Sequence, residues 1–221
     1  MLSVHRPSWD IFDFEPKISA TTLDVHINSL HQGYVDKLNE RFQGSEVLSL
    51  PPSEVLRSLR SYLDPEDQEF YRNMMGGNVA HTLFWQSISP DVWNPVQSYR
   101  QSVLLQDFNI DPEHLRSVLI EEGLARFGSG WVWGVLKGNG QNFDIYSTQN
   151  HDTPYMRKQT PIFCIDLWEH AYFLDDFGDR RAWLEVITGC LDFRRIDNIY
   201  MGHLQGVDTL DSWILGQMQV G

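Results

Sequence analysis

A carboxylate and an imidazole stand four residues apart in Asp166-Leu167-Trp168-Glu169-His170, directly after the apolar run Pro161-Ile162-Phe163-Cys164-Ile165. The run reads as a buried strand, so the pair falls where that strand gives way to a turn or a helix start. Both side chains can ligate a metal ion. Taken alone, Asp-x-x-x-His is more often an ordinary pair at an element boundary. The other histidines change its weight. His26 recurs with Leu23, Leu30, Tyr34 and Leu38 at intervals of three or four, so it points where leucines point. His81 shares a helical face with Met74, Gly77, Phe84 and Trp85. A lone histidine on an apolar face is usually a satisfied core residue. Here two of them lie on long helices that a hairpin would bring side by side, with Asp166 and His170 supplied by the other half. Three imidazoles and one carboxylate suit iron, manganese or zinc.

Caps and periodicity define the elements that must position these groups. Residues 1 to 17 are extended and rich in Pro, Asp and aromatics, as befits a docking arm. Ser19 N-caps a helix reaching about Phe42. A loop from Gly44 to Ser53, closed by Pro51-Pro52, precedes a short helix from Glu54 to Leu63, and Asp64-Pro65-Glu66 starts a long one to about Ser87. Within it, Gly76-Gly77 costs on the order of 1 kcal/mol per glycine. A ligand or another chain segment must approach closely there. Ser89-Pro90 through Asn94-Pro95 separates the halves. Asp111-Pro112-Glu113 starts a helix ending near Phe127, and Gly128-Ser129-Gly130 turns into a strand over Trp131–Leu136. Gly138-Asn139-Gly140 turns that into a second strand, Phe143–Ser147, and a loop from Thr148 to Thr160 leads to the third. Helices follow from about Trp168 and over Ala182–Leu191. The expected class is α+β, with a helical hairpin domain over 1–90 and a domain of three antiparallel strands with helices over 91–221.

Composition bounds the function. At 221 residues, 42% hydrophobic, the chain can bury a substantial core. A formal charge of -13 argues against a nucleic-acid surface. Cys164 and Cys190 both sit in apolar contexts and read as reduced core residues. With no signal-like start and no run of transmembrane length, a cytoplasmic protein without membrane partners is the expectation.

Five segments, in order and over nearly the whole chain, resemble the iron/manganese superoxide dismutases. They are Glu15-Pro16-Lys17-Ile18-Ser19-Ala20 followed by His26; His31-Gln32-Gly33-Tyr34-Val35; Asn73 through His81 with Leu83-Phe84-Trp85; Phe127-Gly128-Ser129-Gly130-Trp131-Val132-Trp133; and Asp166-Leu167-Trp168-Glu169-His170-Ala171-Tyr172. The tail after about Tyr200 departs from the family pattern. The resemblance implies that His26, His81, Asp166 and His170 bind one iron or manganese ion with a solvent molecule as fifth ligand. It places Tyr34 at the substrate channel, with Trp131, Trp133, Trp168, Phe84 and Trp85 as walls. Glu169 would pair with the ligand histidine of the other subunit in a homodimer, a tetramer also being compatible. Arg181 would supply positive charge to draw superoxide towards an acidic protein. The implied reaction is dismutation: one superoxide reduces the trivalent metal and leaves as dioxygen, and a second reoxidises it, takes two protons and leaves as hydrogen peroxide.

Three departures surround that set. Familiar members use a glutamine to hydrogen-bond the bound solvent, from the helix of His81 or from the loop before the third strand; here Gly77 leaves the first position empty and His151 fills the second. With an unperturbed pKa near ~6.5, such an imidazole is expected to make activity respond to pH, and it tilts the metal towards iron or use of either ion. Leu30 and Phe173 stand where the family usually has a histidine and a tyrosine bonded across the subunit interface. Losing both avoids leaving either one unsatisfied, at about 1–3 kcal/mol. The rival readings are a non-catalytic binding or scaffold protein, which should have lost ligands, and a zinc hydrolase, for which four filled positions suit structural zinc better.

Overall fold

The N-terminal arm is pinned down along its length. Leu2 exchanges hydrogen bonds with the Asn39 side chain at 2.7 and 2.9 Å, the Trp9 indole donates to the Ile88 carbonyl at 3.1 Å, and Phe14 and Ile18 are buried. The computed structural model describes residues 1–92, 99–138 and 140–216. Ser19 caps the first helix as its position requires, its hydroxyl accepting the Thr22 amide at 3.1 Å. That helix is α1 (Ala20–Val25), a π-helical stretch over His26–His31, and α2 (Gln32–Arg41), running without a break to Phe42. A π-helical stretch inside an α-helix usually marks a functional site, and this one begins on His26.

The helix expected over Glu54–Leu63 is split into α3 (Pro52–Arg57) and α4 (Leu59–Tyr62), because Ser58 leaves helical geometry at φ -150°. The long helix α5 (Pro65–Ser87) packs against α2 to form the hairpin, and against the third strand as well. Next come α6 (Val103–Asp107) and α7 (Pro112–Ala125), the latter capped by Asp111 accepting the His114 amide at 2.8 Å. The strands are β1 (Gly130–Lys137), β2 (Asn142–Gln149) and β3 (Thr160–Asp166), antiparallel in the order β2-β1-β3. The α+β class expected from the sequence is the one observed. Parts of the expected boundary and hairpin turn, residues 93–95 and 139, lie outside the described residues, as does the end of the tail after 216.

A helix was expected from about Trp168. Instead a 3-10 turn, Glu169–Ala171, precedes the single-turn α8 (Phe173–Asp176). Trp168 is extended because its amide is bound by the Asp166 side chain at 2.7 Å, and Phe177 at φ 50° ends α8 at once. Then α9 (Arg180–Gly189) starts two residues before the expected Ala182, Asp179 accepting the Arg181 and Ala182 amides. The C-terminal part, given no role by sequence, forms α10 (Phe193–Leu204) and α11 (Thr209–Ile214), both packed on α5. Buried apolar residues from both halves join in one core.

The closure of α11 is acidic. Asp211 accepts the Ser53 amide at 2.9 Å and its hydroxyl at 2.5 Å, and both oxygens of the adjacent Asp208 accept the Tyr155 hydroxyl at 2.9 and 2.8 Å. Burial, then the Asp208 charge, push the Asp211 carboxyl up to about 6, against the bonds from Ser53 and the pull of Arg57. A carboxyl raised above its unfolded value binds more protons when folded, so stability falls as pH rises from about 4 through about 6. Asp211→Asn keeps the shape and removes the charge. Thermal unfolding should find this variant more stable than wild type by a few degrees at pH 8, with the difference closing towards pH 4.

Candidate metal centre

Asp166 ends β3, fully buried, and its two carboxylate oxygens are used differently. Oδ1 accepts the Trp168 amide at 2.7 Å. Oδ2 faces three imidazoles, 3.2 Å from His26 Nε2, 3.2 Å from His170 Nε2 and 3.9 Å from His81 Nε2. One potential ligand atom from each of the four residues lies within 4.8 Å of all the others. Four elements contribute: the π-helical stretch, α5, β3 and the 3-10 turn that replaced the expected helix. That turn brings His170 back onto Asp166, four residues away.

His81 Nδ1 lies 2.7 Å from the Gly77 carbonyl, which can only accept, so Nδ1 carries the proton and Nε2 keeps its lone pair. The Nε2 atoms of His26 and His81 are buried and have no hydrogen-bond partner among the described residues. Buried polar atoms are rarely left so. Lone pairs converging on a carboxylate oxygen are the arrangement a small cation satisfies, and imidazole with carboxylate fits iron or manganese. Protonation agrees with this. Burial lowers the pKa of His26 and, further, of His81, with Asp166 opposing in both cases. Burial alone would raise the Asp166 carboxyl, but His170 and His26 outweigh it and hold the group well below the usual carboxylate range. At neutral pH the site presents an ionised carboxylate with neutral His26 and His81.

His151 is buried beside this cluster and is not a surface loop residue. Its Nδ1 lies 3.4 Å from the Trp131 indole nitrogen, which can only donate. The proton therefore sits on Nε2, 2.7 Å from the Tyr34 hydroxyl oxygen, and Tyr34 is left to donate its own proton elsewhere. Trp168 stacks on the His151 ring at 4.6 Å. Burial pulls the His151 pKa down to about 4, so the response expected from an unperturbed value near ~6.5 is corrected: the imidazole stays neutral throughout the physiological range. Burial, then the Asp166 charge, push Tyr34 up to about 12, so it keeps its proton.

The two glycines of α5 have separate reasons. A Cβ on Gly76 would lie 2.2 Å from the His151 carbonyl oxygen, and one on Gly77 would lie 3.0 Å from the Tyr34 ring. The close approach expected from Gly76-Gly77 is thus made by chain segments, the His151 loop on one side and Tyr34 on the other. Arg72 of α5 clamps the same loop through Asp152 at 2.7 Å.

Of the expected walls, Trp131 meets His81 edge-on at 5.0 Å, Trp85 and Phe84 lie 4.6 and 6.1 Å from His26, and Trp168 stacks on His170 at 5.7 Å. Trp133 stands behind Trp131 and donates to Thr148 Oγ1 at 2.8 Å. Arg181 is exposed, and its amide is bound by Asp179. Its neighbour Arg180 reaches inward and donates to the carbonyls of Arg126, Gly128 and Leu167 at 2.6, 2.9 and 3.1 Å. Glu169 is exposed, Leu30 half-buried, and Phe173 half-exposed on α8. Sequence reasoning missed His31. It is fully buried, its Nε2 lies 2.8 Å from Asn78 Oδ1, its Nδ1 accepts the Trp85 indole at 3.1 Å, and its ring stacks on His81 at 5.2 Å. The signal was the His31-Gln32-Gly33-Tyr34 segment itself, whose histidine falls off the 3.6-residue face that carries His26.

Comparison with known proteins bears on the same residues. The model of the α-hairpin domain of iron/manganese superoxide dismutases matches residues 5–89, and the model of their C-terminal domain matches residues 101–199. The chain is 35% identical over 179 residues to a protein of Listeria ivanovii named as a manganese superoxide dismutase, covering 81% of this chain and 87% of that protein. The end of α10 and all of α11 lie beyond the matched residues. With one model on each half of the chain, and with His26 and His81 inside the first match and Asp166 and His170 inside the second, the chain belongs to the iron/manganese superoxide dismutase family.

Proposed function

We propose that His26, His81, Asp166 and His170 hold the iron or manganese ion with which this enzyme converts superoxide to dioxygen and hydrogen peroxide. The observation that carries the assignment is the pair of buried, unpartnered Nε2 atoms on His26 and His81, aimed at Asp166 Oδ2. When bound, the ion supplies the one-electron chemistry, taking an electron from one superoxide and returning one to a second. The protein's own groups do the rest. Tyr34 holds a proton and, bonded by His151 on its oxygen, would be left free to donate it. Trp131, Trp168 and Phe84 keep bulk water from the imidazoles. Arg180, bonded to the Leu167 carbonyl beside Asp166, supports the positive-charge role better than Arg181, the residue expected from the sequence. A non-catalytic scaffold is not favoured, because all four ligands and Tyr34 are retained.

The same reading extends to metal, assembly and place. His151 in the glutamine position supports iron or use of either ion, whereas the Listeria relative carries manganese in its name. A homodimer is supported by Phe127, Phe173, Leu174 and Phe177, which are 98%, 52%, 59% and 88% exposed in a single chain, with the exposed Glu169 close in sequence to the last three. The hairpin domain would end near residue 90. Two free, buried cysteines, Cys164 and Cys190, fit the reducing cytoplasm. No described helix is long and apolar enough to cross a membrane.

Four measurements bear on these assignments. Metal analysis and superoxide consumption after reconstitution with iron and with manganese separately should find one ion per chain and activity with at least one metal; a folded, metal-free, inactive protein overturns the reading. His81→Ala should lose most bound metal and at least about a hundredfold in activity, about 2.7 kcal/mol of transition-state stabilisation. Gly76→Ala should displace the His151 loop, lowering stability by about 1–3 kcal/mol and activity more than metal content. Glu169→Ala should shift sedimentation from dimer towards monomer.

A further inference from the structure

A second cavity, of about 400 Å³, opens at the other end of the sheet, lined by Arg57, Ser58, Leu136, Lys158, Thr160 and His203 among others. Trp131 pairs with Asp166 at the metal end of the β1–β3 ladder, and Leu136 pairs with Thr160 at the cavity end. Five residues of strand at ~3.3 Å each separate the two by about 17 Å.

Each polar side chain of the described lining can donate a hydrogen bond. Two cations, two hydroxyl-bearing residues and a histidine line the space, and among the described residues no carboxylate lines it, in a chain with 30 acidic and 17 basic residues. Among the described residues neither Arg57 nor Lys158 takes part in an ion pair. The nearby acids are engaged elsewhere, Asp208 on the Tyr155 hydroxyl and Asp211 on Ser53. Arg57 is held over the Tyr155 ring at 5.2 Å, and the Tyr155 hydroxyl is itself anchored by Asp208, so the guanidinium is fixed in place.

Lys158 is placed by the turn that precedes β3. It closes the 3-10 turn Pro154–Arg157 at φ 59°, its amide donating to the Tyr155 carbonyl at 2.8 Å. The turn needs that left-handed conformation, which costs a lysine about 1 kcal/mol and a glycine almost nothing. A glycine there would keep the turn and remove only the side chain, which separates the role of the ammonium from that of the backbone. His203 is half-buried, and burial lowers its pKa, so it offers a neutral N–H at pH 7. Fixed guanidinium, ammonium, hydroxyls and imidazole around a space larger than one tetrahedral oxyanion form a phosphate-recognising set.

We propose that this cavity binds a phosphate-class oxyanion, independently of the metal centre, with Arg57 and Lys158 as its charge partners. Free phosphate and the terminal phosphate of a nucleotide share this chemistry. Calorimetric titration of the metal-loaded protein with inorganic phosphate and with ADP, at ionic strength fixed with potassium chloride, tests it. Saturable binding is expected, tighter for phosphate if the free ion is the ligand and tighter for ADP if a larger molecule presents the group. Lys158→Gly relieves the backbone strain, so it should fold at least as stably as wild type and yet bind at least about tenfold more weakly, whereas Lys158→Arg should retain binding. Arg57→Gln should weaken binding to a similar degree. Absence of saturable binding of either compound up to about 10 mM, or binding unchanged in Lys158→Gly, overturns the proposal.

Discussion

A fully buried carboxylate is the constraint on which the rest of the structure depends. Leaving water costs an ionised Asp166 several kcal/mol unless charge and hydrogen bonds are returned to it. The Trp168 amide satisfies one oxygen and three imidazoles crowd the other. Those imidazoles come from elements far apart in sequence, so the two helices of the hairpin, β3 and the turn after it must all converge on one point. The chain then has to be pinned wherever it approaches that point. The Trp9 indole bonded to the Ile88 carbonyl and the Ser89 amide bonded to the Cys190 carbonyl do this just past the C-terminal end of α5, the helix that carries His81.

The tautomers are fixed by two separate sets of hydrogen bonds. Gly77 accepts from His81 Nδ1, which fixes Nε2 as the bare nitrogen; the Trp131 indole donates to His151 Nδ1, which fixes Nε2–H as the donor to Tyr34. Neither choice could be made by the imidazole alone. Each is imposed by a partner that can only donate or only accept. The glycine pair of α5 is what lets the His151 loop and Tyr34 close in, since a methyl group at Gly76 would collide with the His151 backbone and one at Gly77 would press on the Tyr34 ring. Helical propensity given up at those two residues is exchanged for access to the site.

Asymmetry of charge runs through the molecule as well. An acidic chain concentrates its few converging cations where carboxylates are absent or already bonded. The end of α10 and all of α11 lie beyond the matched family region; the former contributes His203 to one such place, and behind it Asp208 and Asp211 are hydrogen-bonded by Tyr155 and Ser53. What looked in the sequence like a divergent tail is part of the same packed core.

The sequence by itself carried the hairpin, the three strands, the cap at Ser19, the need for empty space at Gly76-Gly77, and the four candidate ligands, because each is written in local periodicity or in a compact motif. It also singled out His151. Three things required the tertiary structure. The 3.6-residue period put Leu30 on the inner face, but the π-helical stretch over His26–His31 widens the turn, leaving Leu30 half-buried and burying His31 against His81. The turn after Asp166 was read as a helix start, but the Asp166 carboxylate captures the Trp168 amide and holds it extended. Choosing between Arg180 and Arg181 depended on where α9 begins, which Asp179 sets by capping. The pH response assigned to His151 likewise depended on how deeply the loop is buried. Periodicity reports the average path of a chain, whereas hydrogen bonds between side chain and distant backbone redirect it by a residue or a turn, and those partners meet only after folding.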